Sequence, residues 1–183
     1  MPRVTVEGNP RSQPGFLTHL SPEIGAAATA FSTTAYRHCR LSLREMEGAR
    51  YMTARINGCR TCQNWRAADD LQGYLAGKGQ DTEVRALKDA VAPDAAFYDN
   101  VPEWRTAPGF SERERLAIEL AQRMGEEPRG LEGDEAFWGR FKAAFSDEET
   151  VDAVLAITSW IALGRATHVL ELDTVCPVVP EAA

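Results

Sequence analysis

Positive charge is in short supply in this 183-residue chain: 20 Lys and Arg stand against 27 Asp and Glu, for a net charge of −7 and a pI near 5.1. That balance argues against nucleic acid and anionic membrane surfaces as partners. No window reaches the roughly 18 uninterrupted apolar residues that a spanning helix needs. The best apolar run, Val151 to Leu163, is broken by Asp152, Thr158 and Ser159. The opening MPRVTVEGNPRSQPGF lacks the apolar core of a secretory signal. No internal repeat occurs at solenoid periods. Strand signals are almost missing, since Val4-Thr5-Val6 and Val178-Val179 are too short to build a sheet. Cysteines are few: Cys39, Cys59, Cys62 and Cys176. A disulfide scaffold is not expected in a leaderless chain of this size, so a reducing, cytoplasmic setting is the expectation, and close cysteines gain weight as catalytic or metal-binding groups.

What the chain does have is helix punctuation. Hydrophobic content of 44% and charged content of 26% are ordinary for a soluble globular protein, and the length fits one domain with a real core. Residues 1–20 read as an extended arm, 21–172 as a helical domain and 173–183 as a tail. Ser21-Pro22-Glu23 places Pro at a first helical position, opening a helix to about Tyr36. Ser42–Glu45, Ser111–Glu114 and Ser146–Glu149 are capping boxes, in which Ser and Glu satisfy orphan N–H groups at a helix start. They open helices to about Arg55, Gly125 and Leu172. Asn57-Gly58 stops the first of these. The run from Cys59 to Gly77 reads as one helix, Asp81–Ala90 as a short helix capped by Asp81, and Asp134–Phe145 as another. Ala92–Gly109, with three prolines, and Glu126–Gly133 read as loops. The fold class is all-α: a single-domain bundle of about seven helices.

Within INGCRTCQNWR, Cys59 and Cys62 are separated by two residues. Thiols at that spacing near a helix start close a small disulfide ring with little backbone movement. Unpaired N–H groups and the partial positive charge of the helix end favour a thiolate, and Arg60 and Arg66 push the same way. A thiolate is the species that attacks a disulfide or a peroxide oxygen. A CxxC also fits half of a zinc site or two structural thiols. Zinc needs four ligands, and the other candidates (His19, His38, Cys39, His168, Cys176) are scattered without ligand spacing. Glu47 lies twelve residues before Cys59. If the chain doubles back at Asn57-Gly58, Glu47 faces the start of the next helix; the bland reading of a helical glutamate is a solvated face.

Glu47, the run Arg55-Ile56-Asn57-Gly58-Cys59, Cys62 and the helix that follows resemble the carboxymuconolactone decarboxylase superfamily, specifically its alkyl hydroperoxide reductase D-like branch. The likeness extends to VPEWRTAPGFSERERLAIELAQ (Val101 to Gln122) and to Gly164-Arg165, which stands where the family often has Asn-Arg. It covers about residues 20–172. The resemblance implies an all-α fold and a thiol-based, peroxiredoxin-like oxidoreductase with no metal or organic cofactor. Carried over, Cys62 is the peroxidatic thiol, Cys59 resolves it, and Glu47 is the base, directly or through water. The thioredoxin analogy favours Cys59 as attacker instead. The implied partners are a small peroxide or disulfide substrate and a thiol or lipoyl electron donor, in a homo-oligomer, commonly a trimer or hexamer.

Two positions depart from the branch. Arg66 stands where the branch commonly has a histidine, and Thr61 where some members have one. Arginine does not give up a proton near neutral pH, so the relay is incomplete and weak peroxidase turnover is the expectation. Arg66 retains an electrostatic role beside Cys62, or pairs with Asp69 or Asp70 along its own helix. The family name also brings a lyase acting on a small carboxylated ring, with Glu47, Arg50 and Arg66 holding the acid, or a helical scaffold without catalysis. His168 is a candidate proton donor or a structural histidine. Trp65 and Tyr74 read as core or interface, Trp104 as a pocket cover or subunit contact, and Cys39 and Cys176 as lone thiols.

Overall fold

The computed structural model describes residues 3–4, 18–88 and 90–172. The expectations placed on Cys176, on most of the arm and on the tail lie outside these residues. Every regular element described is helical, with no strand among the described residues. The α-helices are α1 (Pro22–His38), α2 (Leu43–Ile56), α3 (Arg60–Asn64), α4 (Ala67–Ala76), α5 (Ala95–Asn100), α6 (Glu112–Glu126), α7 (Pro128–Leu131), α8 (Glu135–Ala144) and α9 (Asp147–Val169). Single 3-10 turns occur at Arg85–Leu87 and Val101–Glu103.

All three capping boxes form, with Ser42, Ser111 and Ser146 each accepting from the amide three residues on while the glutamate there bonds back to the serine amide. Ser21 precedes Pro22 as expected but makes no side-chain cap. Three expectations need correction. The run after Cys59 is not one helix: it breaks at Trp65 and Arg66, whose backbone is extended, into α3 and α4. Among the described residues of 81–90 the helical element is the turn Arg85–Leu87, and Asp81 spends its carboxylate on the Glu83 amide and on Arg37 rather than on a helix start. The two loops contain α5, capped by Asp94, and α7, opened by Pro128. The bundle therefore has more elements than the seven expected, and the added ones are a few residues long.

Helix α2 is the axis of the molecule. It packs most extensively along α6 and also against α9 and α3. The close approach of α6 rests on Gly48, where a Cβ would stand 2.8 Å from the Ile118 side chain. Met46, Ala49, Leu71, Leu116, Ile118, Leu120, Phe141 and Ile157 fill the shared core. Burying such aliphatic and aromatic side chains contributes about 1.5–3 kcal/mol each. Trp104 belongs to this core, with its indole N–H donating to Gln122 at 3.0 Å. No helix among the described residues is long and apolar enough to cross a membrane.

Candidate functional site

The chain turns sharply after α2. Gly58 takes the left-handed φ of +70°, which a side chain would strain, and the His168 ring stands 3.1 Å from where its Cβ would be. Asn57 is pinned from α9: its amide donates to the Trp160 carbonyl at 3.1 Å and its oxygen accepts from Arg165 at 3.1 Å. Gly164 makes room for it, since a Cβ there would lie 2.5 Å from the Asn57 amide nitrogen.

Cys59 follows as the N-cap of α3, its sulfur accepting the Cys62 amide at 3.2 Å. The two sulfurs are joined, across a Cα–Cα distance of 5.3 Å, within the usual range for such a bond. The two cysteines differ in exposure: Cys59 is 0% exposed, whereas Cys62 is half-buried. Because α3 is only five residues long, the field at its start is weaker than the long helix read from the sequence would supply.

The other end of α3 is held by two arginines. Arg50 donates to the Cys62 carbonyl at 2.6 Å and to the Trp65 carbonyl at 2.9 Å. Arg66 donates to the Gln63 carbonyl at 2.5 Å and the Trp65 carbonyl at 2.8 Å. These are the acceptors that a helix end leaves open. Arg66 makes no ion pair with Asp69 or Asp70; instead Asp70 accepts the Arg66 backbone N–H at 2.6 Å. The Arg66 guanidinium lies over the Tyr98 ring at 3.9 Å, a cation–π contact.

Glu47 is not on a solvated face. It is 0% exposed and ion-paired with Arg50 at 2.5 Å. It also accepts the Tyr98 hydroxyl at 2.6 Å and the Ala67 amide at 3.2 Å, placing a carboxylate at the start of α4. The link from Glu47 to the cysteine pair runs through Arg50, which holds the carboxylate with one edge and the Cys62 carbonyl with the other. The structure thus brings Cys59, Cys62, Glu47 and Arg66 into one region around the start of α4.

Aromatic rings close the region. Tyr36 packs on Trp65 at 5.1 Å and on Trp160 at 5.6 Å. Burial, and secondarily the nearby Glu47 charge, pushes the Tyr36 phenol far above its ordinary range, against the opposing pull of Arg50. Tyr98 is pushed far up as well, first by burial and then by Glu47. Both stay protonated at any working pH. Among the described residues no group of His, Cys, Asp and Glu is arranged to hold a metal ion. Cys39 is a buried free thiol whose desolvation pushes its pKa up to about 11, which makes it inert.

Sequence reasoning missed Tyr36, Tyr98 and Trp160 as members of this region. It named Arg50 only as an acid-binding group, although its (i, i+3) spacing from Glu47 was a usable signal. Tyr98 was hidden in a segment read as loop, where Asp94 followed by Ala-Ala-Phe-Tyr carries a helix-start signature.

No family model and no curated protein matches the chain. A solved structure does: a protein of unknown function from Agrobacterium tumefaciens, suggested by its name to be the antioxidant defence protein AhpD. The two superpose with a TM-score of 0.65 at 20% identity, over 88% of this chain and 96% of that one. The fold is AhpD-like. That likeness bears out the all-α architecture and covers most of the chain. The AhpD-like fold is reached here with Arg66 where the resemblance led one to look for a histidine.

Proposed function

We propose that the chain is a thiol–disulfide oxidoreductase with peroxiredoxin-like activity, cycling between a Cys59/Cys62 dithiol and disulfide. The observation that carries this is the asymmetry of the joined pair: Cys59 is sealed in the core and Cys62 is half-buried. A resolving thiol can be sealed, whereas the sulfur that meets a substrate must be reachable. In this reading the Cys62 thiolate attacks the peroxide, the O–O bond breaks, Cys62 becomes a sulfenic acid, and the leaving oxygen takes a proton from solvent and departs as an alcohol or water. Cys59 then displaces water from it to close the bond. A dithiol donor of thiol or lipoyl type restores the pair. The antioxidant name carried by the structural neighbour is in keeping with this.

Arg50 and Arg66 hold the α3 carbonyls and so fix where Cys62 stands. Glu47 anchors Arg50 and, in the carried-over role, takes a thiol proton through water, because its oxygens are already held by Arg50, Tyr98 and the Ala67 amide. The lyase reading asks Arg50 and Arg66 to bind a substrate acid, yet both donate to main-chain carbonyls of α3 and its cap. Exposed Ile24, Phe31, Val151 and Leu155 support a self-associated state.

The test is peroxide consumption in the presence of a dithiol. Cys62→Ser should fall to background, and thiol titration after mild oxidant should show two sulfhydryls lost together. Undiminished turnover in Cys62→Ser, or a pair that stays reduced under oxidant, refutes the reading.

A further inference from the structure

Arg66 carries a charge that no acid cancels. Among the described residues its guanidinium meets no carboxylate: it donates to the Gln63 and Trp65 carbonyls, and Asp70 takes only its backbone N–H. Arg50, the other cation at this end of α3, is balanced by Glu47. Arg66 is half-buried, and a cation drawn partly out of water needs a compensating contact. It has two tyrosine faces, with ring centres 3.9 Å away at Tyr98 and 5.4 Å away at Tyr51.

The nearer ring is fixed from two sides. The Tyr98 hydroxyl, on α5, donates to the buried Glu47 carboxylate at 2.6 Å, and the Tyr51 ring, on α2, packs across it at 5.3 Å. Burial, and then Glu47, hold the Tyr98 phenol far above its ordinary range. It stays neutral, so it holds the Arg66 charge without cancelling it. That charge stands at a sensitive place. Helix α3 has five residues, and Cys62 is the third. The carbonyl end of so short a helix lies within one turn of Cys62, and its partial negative charge disfavours a thiolate there. Arg66 covers that end, bonded to the carbonyl of the residue after Cys62.

We propose that Tyr98 is a positioning residue: its ring holds the uncompensated guanidinium of Arg66 against the carbonyl end of α3, and that charge promotes the Cys62 thiolate. The proposal rests on the oxidoreductase reading and adds to it the side chain that tunes the attacking sulfur. Tyr98 acts through Arg66 and not by touching the sulfur. The other charged or titratable groups around the turn are Glu47 and Arg50 from α2, Arg60 on α3, Asp69 and Asp70 on α4, and His168 of α9 against Gly58. All of them stay unaltered in the test.

Reduced protein is alkylated with iodoacetamide across a range of pH, and labelling of Cys62 is followed by peptide mass. Tyr98→Phe keeps the ring. A trifluorinated phenylalanine at position 98 keeps its shape but removes the negative face that attracts a cation. Tyr98→Leu removes the ring, and Arg66→Met removes the charge. Tyr98→Phe should leave the midpoint pH of Cys62 labelling within about 0.3 of wild type. The fluorinated ring, Tyr98→Leu and Arg66→Met should each raise it by about 1, which slows labelling at neutral pH about tenfold. Tyr98→Leu added to Arg66→Met should raise it no further. A fluorinated ring that matches Tyr98→Phe, or additive shifts in the double variant, overturns the proposal. The two phenylalanine rings differ in electronics and not in shape, so a folding defect in Tyr98→Leu does not decide the outcome. If the wild-type pair fails to open with a dithiol and close again with peroxide, the oxidoreductase reading fails. If it cycles and the midpoints do not move, only the role of Tyr98 fails.

Discussion

Replacing Glu47 by Gln tests how the centre of the molecule is held together. The substitution keeps the shape of the side chain and removes its charge, leaving the Arg50 guanidinium, 2% exposed as a residue, without a counter-ion. Breaking a buried pair from one side costs about 3–5 kcal/mol. For a chain of this size a change of 1 kcal/mol moves Tm by about 2–4 °C, so the midpoint should fall by roughly 6–20 °C. Arg50→Met should cost as much or more. It strands Glu47 and also takes away the donors that hold the Cys62 and Trp65 carbonyls, where charge-assisted hydrogen bonds are worth about 1.5–3 kcal/mol. The double variant removes both charges together. Its loss should be smaller than the sum of the two single losses by at least about 2 kcal/mol, because neither ion is then left alone. Urea unfolding followed by far-ultraviolet circular dichroism gives all three numbers, with the slope checked for constancy. Additive losses, or single losses under about 1 kcal/mol, would refute the argument that this pair is a buried, mutually dependent unit.

Three further outcomes follow from the same geometry. After reduction, iodoacetamide should label Cys62 well before Cys59 or Cys39, as read by peptide mass spectrometry; early labelling of Cys59 would reverse the assignment of the outward-facing sulfur. Stability should decline as the solution becomes alkaline. Burial raises Cys39 from 9.0 to about 11 and Tyr74 from 10.0 to about 12. The folded state therefore holds protons that the unfolded chain has released, so their stabilisation is whole below about pH 9 and is lost as pH rises through 11 and 12. Cys39→Ala should shrink the decline between pH 9 and 11 in chemical denaturation, and an unchanged slope would count against it. Gly164→Ala should destabilise, since its Cβ meets Asn57 at 2.5 Å and overpacking costs about 1–3 kcal/mol. In an Asn57→Ala background the same change should become stabilising by about 1 kcal/mol, the helix preference of Ala over Gly; a thermal melt in which it destabilises both backgrounds equally rules out that contact.

The elements most legible from the amino-acid sequence were those decided within a few residues. Capping boxes at Ser42, Ser111 and Ser146 are reciprocal bonds between positions three apart, and all three form. The stop at Gly58 and the proximity of Cys59 to Cys62 are of the same local kind. Misreadings fell where distant groups compete for a backbone. The break at Trp65 and Arg66 exists because Arg50, from the preceding helix, takes the Cys62 and Trp65 carbonyls, while Glu47 and Asp70 take the Ala67 and Arg66 amides. No periodicity within the segment announces that exchange. The all-α class, the helix starts and the candidate sulfurs are thus properties of the chain itself, set by short-range hydrogen bonding and by the alternation of polar and apolar side chains. Tertiary structure alone decided that Glu47 is buried against Arg50, that Tyr98 reaches it from 51 positions away, that Tyr36 and Trp160 meet beside the cysteine turn, and that Cys59 is sealed while Cys62 is half-buried. Those outcomes depend on which side chains the packing of α1, α2, α5 and α9 brings together in a space from which water is largely excluded.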